Sequence, residues 1–276
     1  MEILKPSLKN LIAESKSGND LFKRNLLKEY LQVVVLDFIY AHPQYSKLVF
    51  YGGSCLAQCH ALPRLSEDLD FVDEKGKIDI AGLARDLEGY FKKNTDLKVK
   101  ATVQKFRVYL KFPILIDLGL GKKGETDLLY LKVEIFSQFN FCQKYKTEIR
   151  PLFRFNRSLL VKAFDLPTLM ATKIRAVFYR KWEKIDKAGK TIVKAKGRDY
   201  FDLMWYLQKG VKPNLDCIED VNSFGELKTK LLAIIANVDA RSLQLDLEAF
   251  IADREYVKKL SKNMKEILKR EIEEKL

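Results

Sequence analysis

The stretch LVFYGGSCLAQCHALPRLSEDLDF, residues 48–71, decides how this chain folds. Its first four residues are apolar and predict a short strand that ends in a turn at Gly52-Gly53. We expect Ser54 to cap the helix that follows, because its side-chain oxygen can accept a hydrogen bond from a free N–H of the first turn. A second strand is predicted at about residues 69–72. The stretch therefore predicts a strand, a glycine turn, a helix and a second strand.

The Gly52-Gly53-Ser54 turn has the features of a phosphate cradle. Glycine lets the backbone approach an anion closely, and a helix that starts here directs free N–H groups and its positive dipole end toward that anion. The Ser54 hydroxyl adds a further donor. We therefore predict that Gly53 and Ser54 bind a nucleotide phosphate, although many turns of this kind bind nothing.

Two aspartates lie on the predicted second strand, shortly after the turn. Asp68 and Asp70 project from the same face, about 7 Å apart along the strand, because successive strand residues alternate. Paired carboxylates hold hard cations through oxygen ligands. A D-x-D pair alone is commonly a solvated strand end, but its position after the glycine turn favours a metal site for phosphate chemistry.

A third carboxylate is expected on a neighbouring strand, and Glu134 is the main candidate. It lies in the alternating segment LYLKVEIF, residues 129–136, where it shares a face with Lys132. An acid in a strand interior is costly unless it is exposed or paired with a cation. Two interpretations stay open, a metal ligand or an edge-strand glutamate paired with Lys132. Asp127 and Asp117 are weaker substitutes for the third ligand.

The composition is that of a basic globular protein. The chain has 276 residues, with 50 Lys and Arg against 37 Asp and Glu, a formal net charge of +13 and a pI of about 9.4. Such a surplus of positive charge indicates polyanion partners, such as a nucleoside triphosphate or RNA. The alternative is a solvated basic surface with no such partner.

No segment has the composition of a signal peptide or a membrane span. The longest dense apolar run, residues 33–40, is interrupted by Asp37 and is far shorter than the roughly 20 residues that a membrane crossing needs. We therefore expect no membrane contact and a cytoplasmic protein with reduced thiols. Cys55 and Cys59 lie one helical turn apart and are expected to be packing cysteines rather than zinc ligands.

The pattern of the sequence changes near residue 165. Residues 97–136 alternate apolar and polar side chains and predict strands, and helices are predicted before them at 20–41 and 80–91. Downstream helices are predicted at Thr168–Trp182, Asp199–Lys209, Phe224–Asn237, Leu243–Ala252 and Tyr256–Leu276.

The expected fold class is α+β, with two lobes. A mixed-sheet lobe with N-terminal helices would span residues 1–165, and an α-helical lobe that completes the active site would span residues 166–276. A long basic segment at residues 181–197 is either an RNA-contacting loop or a variable surface loop.

The motifs together resemble those of the DNA polymerase β-type nucleotidyltransferase superfamily, and more closely its abortive-infection, type IV toxin branch (AbiEii/AbiGii-like). The superfamily motif is GGS at residues 52–54 with RLSEDLDF at residues 64–71. Two further blocks match the branch. They are KIRA at residues 173–176 with Arg180, and KGRDYFDL at residues 196–203.

The resemblance spans about residues 45–210 and implies a polymerase β-like first lobe. Ser54 would contact the nucleoside triphosphate, and Asp68 and Asp70 would bind Mg²⁺, in a two-metal site that also accepts Mn²⁺. Glu134 stands where the family pattern leads us to expect an aspartate, and its longer side chain would loosen or shift the second metal.

The resemblance also gives roles to residues of the second lobe. Lys173 and Arg180 would reach the phosphates, while Asp199, with Asp202 beside it, would close the site and act as a general base. The residue pattern agrees, because Lys173 lies off the apolar stripe of its predicted helix and the two aspartates share a helix face. A solvated lysine, and aspartates that only satisfy a helix N-terminus, are the alternatives.

The resulting hypothesis is a metal-dependent nucleotidyltransferase of the type IV toxin kind. It would move an NMP from an NTP onto the 3′ end of tRNA or another RNA, or onto a protein hydroxyl, and it would have a cognate antitoxin. One alternative is a non-catalytic module that binds a nucleotide or RNA. Another is a small-molecule, antibiotic-type nucleotidyltransferase, which the basic charge disfavours because such an enzyme is expected to have an acidic substrate cleft.

Overall fold

The computed structural model describes residues 1–122, 124–137, 139–142, 144–180, 184–185, 191–193 and 196–276. The chain forms two compact units. The first contains Met1–Phe139 and Thr147–Ala163, and the second contains Asn140–Lys146 and Phe164–Leu276. Most of the basic segment at 181–197, with its predicted role in RNA contact, lies outside the described residues.

The first unit is built from helices and one large sheet. Its helices are α1 (Lys5–Ala13), α2 (Asp20–Ala41), α3 (Gly52–His60) and α4 (Ile80–Asn94). Its strands are β1 (Val49–Tyr51), β2 (Asp68–Val72), β3 (Lys100–Gln104), β4 (Arg107–Pro113), β5 (Leu128–Phe136), β6 (Thr147–Arg154) and β7 (Arg157–Phe164). A short 3-10 helix at Tyr45–Lys47 precedes β1.

The seven strands form a mixed sheet in the order β3-β4-β5-β2-β1-β7-β6. Strand β2 is antiparallel to β1 and parallel to β5, so it lies in the middle of the sheet. Its apolar residues Leu69 and Phe71 are fully buried, and Asp68 and Asp70 point to the opposite face. The alternation in the sequence therefore predicts the orientation of the two acids correctly.

The second unit is helical. Its helices are α5 (Leu166–Tyr179), α6 (Gly197–Gln208), α7 (Phe224–Ile235), α8 (Ala240–Leu247) and α9 (Arg254–Lys275), with a 3-10 helix at Leu215–Cys217 and a short hairpin of β8 (Lys184–Ile185) and β9 (Thr191–Val193). Helix α5 begins where the Asp165 side chain accepts a hydrogen bond from the Thr168 N–H. The predicted α+β fold class, a mixed-sheet lobe followed by a helical lobe, is confirmed.

Helix α9 is strongly amphipathic. One face is buried and carries Val257, Leu260, Met264, Leu268 and Ile272. A cationic face carries Arg254, Lys258, Lys262, Lys265 and Lys269, all exposed and spaced so that they lie above one another along the helix. None of these five cations forms an ion pair with another residue in the described part of the chain.

The start of helix α3 differs from the prediction. The helix begins at Gly52, with Tyr51 as its N-cap residue, so Ser54 lies inside the first turn and does not cap it. The sequence misleads here because Gly-Gly usually marks a turn, whereas only Gly52 takes a positive φ, of 79°. Helix α1 and strand β6 were not predicted as separate elements.

Two of the four cysteines are bonded to each other. Cys142 and Cys217 form a disulfide within the second unit, which corrects the expectation that all four thiols are reduced. Cys55 is buried and Cys59 is half-buried, and both are free. A separate finding is that no described helix has the length and apolar composition to cross a membrane.

Candidate active site

The glycine turn packs directly against the acidic strand. A Cβ at Gly52 would overlap the Oδ2 atom of Asp70, and the backbone there has a φ of 79°, so no other residue fits without strain. A Cβ at Gly53 would lie 2.8 Å from the Arg64 guanidinium and 3.1 Å from the Ser66 hydroxyl oxygen. The two sequence motifs GGS and RLSEDLD therefore pack against each other, with the glycine backbone close to the Asp70 carboxylate and the Arg64 guanidinium.

The first turn of α3 carries a buried hydroxyl that no described residue satisfies. No side chain caps the helix at Tyr51. The Ser54 side chain is fully buried, and its hydroxyl oxygen has no hydrogen-bond partner among the described residues. Buried polar atoms are nearly always paired, so an unpaired hydroxyl at a helix N-terminus is suited to an anionic ligand.

The register of β2 and β5 places four charged side chains on one face of the sheet. Asp68 is opposite Lys132, and Asp70 is opposite Glu134. On the other side of β5, Arg107 of β4 is opposite Glu134. Because paired residues on neighbouring strands point the same way, this face carries three acids, Asp68, Asp70 and Glu134, together with the cations Lys132 and Arg107.

Lys132 bridges two of the predicted metal ligands. Its Nζ atom lies 2.9 Å from Asp68 Oδ2 and 2.7 Å from Glu134 Oε1. Burial lowers the pKa of Lys132, but Asp68 and Glu134 raise it by more, so its pKa lies well above the usual range. Burial raises the pKa of Asp68, and Lys132 opposes that shift. The lysine is therefore a permanent cation in the acidic face.

Glu134 has a second cationic partner. Arg107 Nε donates to Glu134 Oε1 at 2.9 Å, and its guanidinium also stacks on Phe106 at 4.4 Å. Glu134 is 7% exposed and lies on β5, an interior strand between β2 and β4. The pairing with Lys132 considered from the sequence is therefore present, but the edge-strand position assumed with it is wrong.

The described residues contain no group of three or more His, Cys, Asp or Glu side chains placed to hold one metal ion. Asp68 and Asp70 still offer two hard oxygen donors on one face, next to the Gly52 cradle and close in sequence to Ser54. These donors suit a divalent cation that carries a triphosphate, since such cations prefer carboxylate and phosphate oxygens. The metal-ligand role of Glu134 stays a prediction.

The two weaker substitutes for the third acid lie in the loop between β4 and β5. Asp117 pairs with Lys5 at 3.1 Å on the protein surface. The Asp127 carboxylate accepts a hydrogen bond from the Ile116 N–H at 2.6 Å and so closes the loop. Asp117 therefore has its partner on helix α1, and Asp127 has its partner within the loop.

The second unit has its own charged cluster, formed by α5 and α6. Lys173 Nζ lies 2.8 Å from Asp199 Oδ1 and 2.8 Å from Asp202 Oδ2. Arg180 donates to the other oxygen of Asp199, also at 2.8 Å. The structure therefore brings these four predicted residues together. The two aspartates are buried, Asp202 completely, so the cluster is largely shielded from solvent.

Two titratable groups of this cluster have unusual pKa values. Burial raises the pKa of Asp199, but Lys173 and Arg180 outweigh it and hold the pKa at about 2. Lys196, just before α6, has its pKa lowered to about 8 by burial and by the neighbouring Arg198 and Arg180. Asp199 is therefore a weak base, and Lys196 is a lysine that loses its proton near neutral pH.

Three residues of these clusters were not predicted from the sequence. Arg107 lies in no motif, and Arg64 and Lys196 were considered only as members of the motifs RLSEDLDF and KGRDYFDL. The same-face spacing of Lys132 and Glu134 did signal their pairing. The contact of Arg107 with Glu134 depends on the register of two strands, which no local pattern gives.

A comparison with protein families agrees with the motifs. The model of a family described as "Nucleotidyl transferase AbiEii toxin, Type IV TA system" matches residues 36–275. The crystal structure of JHP933 from Helicobacter pylori is similar with a TM-score of 0.46 and 17% identity, over 91% of this chain and 94% of that one. A structure titled as that of a proposed nucleotidyltransferase from H. pylori has the same TM-score and identity, over 90% of this chain and 96% of that one. No curated protein matches the sequence.

Proposed function

Because the chain belongs to the AbiEii family of nucleotidyl transferase toxins, we propose that it uses a divalent cation to transfer an NMP from an NTP to an RNA hydroxyl. Family membership makes the protein a nucleotidyltransferase, and an NTP substrate and a cognate antitoxin are expected for it as for type IV toxin–antitoxin systems. The cation, which is Mg²⁺ or Mn²⁺, and the acceptor, which is the 3′ end of tRNA or another RNA, belong to the proposal.

The observation that carries the proposal is the contact of Gly52 with Asp70. A backbone without a side chain lies against a carboxylate, in the first turn of a helix that also holds the unpaired Ser54 hydroxyl. An anion bound by the helix N-terminus would therefore be adjacent to a metal ligand. Asp68 on the same face would supply the second carboxylate.

The transfer forms one bond and breaks one. The acceptor oxygen bonds to the α-phosphorus, the bond from that phosphorus to the bridging oxygen breaks, and pyrophosphate leaves with the bond's electron pair. The acceptor's proton passes to a carboxylate. A divalent cation, when bound, neutralises phosphate charge. The pKa of about 2 at Asp199 and the two cations on Glu134 disfavour these two carboxylates as that base.

The buried cluster of the second unit is proposed to bind phosphate groups. Lys173 and Arg180 supply positive charge for phosphate oxygens. Asp199 and Asp202 hold the ammonium of Lys173 at 2.8 Å each, so its position is fixed before a ligand arrives. In this proposal Asp199 acts through Lys173 and does not take a proton.

RNA is favoured as the acceptor by charge. The net charge is +13, and the cationic face of α9 presents five side chains without a described ion-pair partner. An α-helix rises 1.5 Å per residue, so the face from Arg254 to Lys269 is roughly 22 Å long and spans several phosphates of an RNA strand. A small uncharged acceptor would have no use for such a surface.

A transfer assay tests the proposal. Each of the four NTPs, labelled at the α-phosphate, is incubated with total RNA and with total protein at several Mg²⁺ and Mn²⁺ concentrations. We expect metal-dependent label in RNA, lost in Asp70→Asn and kept in Asp117→Asn, since Asp117 lies in a surface pair with Lys5. Label in protein alone would overturn the RNA acceptor, and no label with any NTP would overturn the catalytic proposal.

A further inference from the structure

We propose that the ammonium of Lys132 takes the place of a second metal ion, so that the site works with one divalent cation held by Asp68 and Asp70. The inference rests on the proposed function and departs from the two-metal site that the sequence resemblance implies. It concerns residues of the first unit only.

The position of Lys132 is the first reason. Its ammonium lies between Asp68 and Glu134, at 2.9 Å and 2.7 Å, and these are two of the three carboxylates predicted to share metal ions. The register of β2 with β5 brings these three side chains together, so the bridge does not depend on the rotamer of a surface lysine alone. Lys132 and Asp68 are register partners across β2 and β5, and Glu134 is two residues further along β5 on the same face.

The state of Glu134 is the second reason. One of its oxygens, Oε1, receives hydrogen bonds from both Lys132 and Arg107. A nearly buried carboxylate with two cationic partners already has its charge balanced. A divalent cation at this carboxylate would have to displace one cation or lie beside two, and both are unfavourable because like charges repel strongly where water is scarce.

The ligand count is the third reason. No group of three or more metal-ligating side chains is found in the described residues, although Asp68, Asp70 and Glu134 share one face. A second ion would lack its third protein carboxylate. A fixed ammonium supplies positive charge at the same place, and it does not need to be recruited from solution.

The test counts metal ions directly. Bound Mn²⁺ is measured by electron paramagnetic resonance with the α,β-methylene analogue of each NTP in turn, which binds but cannot be cleaved. We expect one Mn²⁺ per wild-type chain. Lys132→Met should bind a second Mn²⁺, because it removes the ammonium that lies between Asp68 and Glu134. Lys162→Met is the matched control, since Lys162 is equally exposed and paired with Glu74 elsewhere in the unit, and it should bind one.

Two more variants keep the outcome clear if Lys132→Met does not fold. Lys132→Arg retains the charge and should bind one ion. Glu134→Gln should also bind one, whereas in a two-metal site it would lower the count from two. Two ions on the wild-type chain would overturn the inference and leave the nucleotidyltransferase proposal intact. No bound ion, together with no label transfer, would overturn both.

Discussion

The α-carbon of Gly52 lies so close to the Asp70 carboxylate that one added methyl group would overlap Oδ2. The N-terminus of α3 can pack directly against Asp70 of β2 only because residue 52 has no side chain. This contact therefore makes a glycine, which has no functional group, a determinant of the site.

Gly52→Ala should both destabilise the first unit and abolish nucleotide transfer. Its φ of 79° is strained for alanine, and Asp70 would have to move, so we expect a loss of about 1–3 kcal/mol in the free energy of unfolding. Denaturant unfolding and the transfer assay measure the two effects. Gly89→Ala in α4 is the control, because nothing lies within 4 Å of its Cβ position, and it should be neutral or slightly stabilising. Full activity in Gly52→Ala would contradict the close contact.

Lys173→Met should lower the free energy of unfolding by about 3–5 kcal/mol, because it leaves two buried carboxylates without their shared ammonium. Glu219→Gln, which breaks an exposed pair with Arg175 on the same helix, should cost less than about 1 kcal/mol. Urea unfolding of both variants measures the two losses in the free energy of unfolding. Equal losses would mean that the buried cluster is no more stabilising than a surface pair.

The same cluster predicts how stability depends on pH. The pKa of Asp199 is about 2 in the folded protein and about 3.9 in an unfolded chain, so its ionised form stabilises the fold above about pH 4. This contribution should be lost as the pH falls from about 4 to 2. Asp199→Asn should show a shallower loss of stability over that range. An unchanged slope would indicate that Asp199 is not held by Lys173 and Arg180.

Lys196 should react with small electrophiles near neutral pH. With a pKa of about 8, roughly half of its side chains are neutral amines at pH 8, against less than about 1% for a lysine of pKa 10.4. We expect cyanate to carbamylate Lys196 at least tenfold faster in the folded protein than in guanidinium-denatured protein, as read by peptide mass spectrometry. A faster reaction after denaturation would show that the lowered pKa is absent.

The cationic face of α9 should contribute to RNA affinity. Lys258, Lys262, Lys265 and Lys269, all changed to Gln, should weaken RNA binding and reduce the slope of log affinity against log salt by about 3. The control changes four exposed lysines of the first unit, Lys9, Lys16, Lys92 and Lys93, and so removes the same total charge. Equal effects in the two variants would show that only net charge matters.

Local patterns in the sequence predicted the parts of the site that depend on one element at a time. Strand alternation placed Asp68 and Asp70 on one face, and the apolar stripe of its helix left Lys173 on another. Contacts between distant segments were not predictable in the same way. The Arg107–Glu134 pair depends on the register of β4 with β5, and the Cys142–Cys217 bond joins residues 75 apart in sequence.

The start of α3 shows a different limit. Glycine has a low helix propensity, so Gly52-Gly53 favours a turn when it is considered alone. The packing of Gly52 on Asp70, and of Gly53 on Arg64 and Ser66, is tertiary, and it places the helix N-cap at Tyr51, three residues earlier than the predicted cap at Ser54. Ser54 then becomes a buried first-turn residue instead of a cap.

The parallel pairing of β2 with β5 also has a consequence for synthesis of the protein. Helix α4 and strands β3 and β4 separate these two partners in the chain, so a ribosome-bound chain that ends before Leu128 carries the Asp68–Asp70 strand without Lys132 or Glu134 beside it. Such a non-local pairing closes late. The acidic face is therefore completed only after most of the first unit has emerged, and a shorter nascent chain lacks the arrangement of Asp68 with Lys132 and of Asp70 with Glu134.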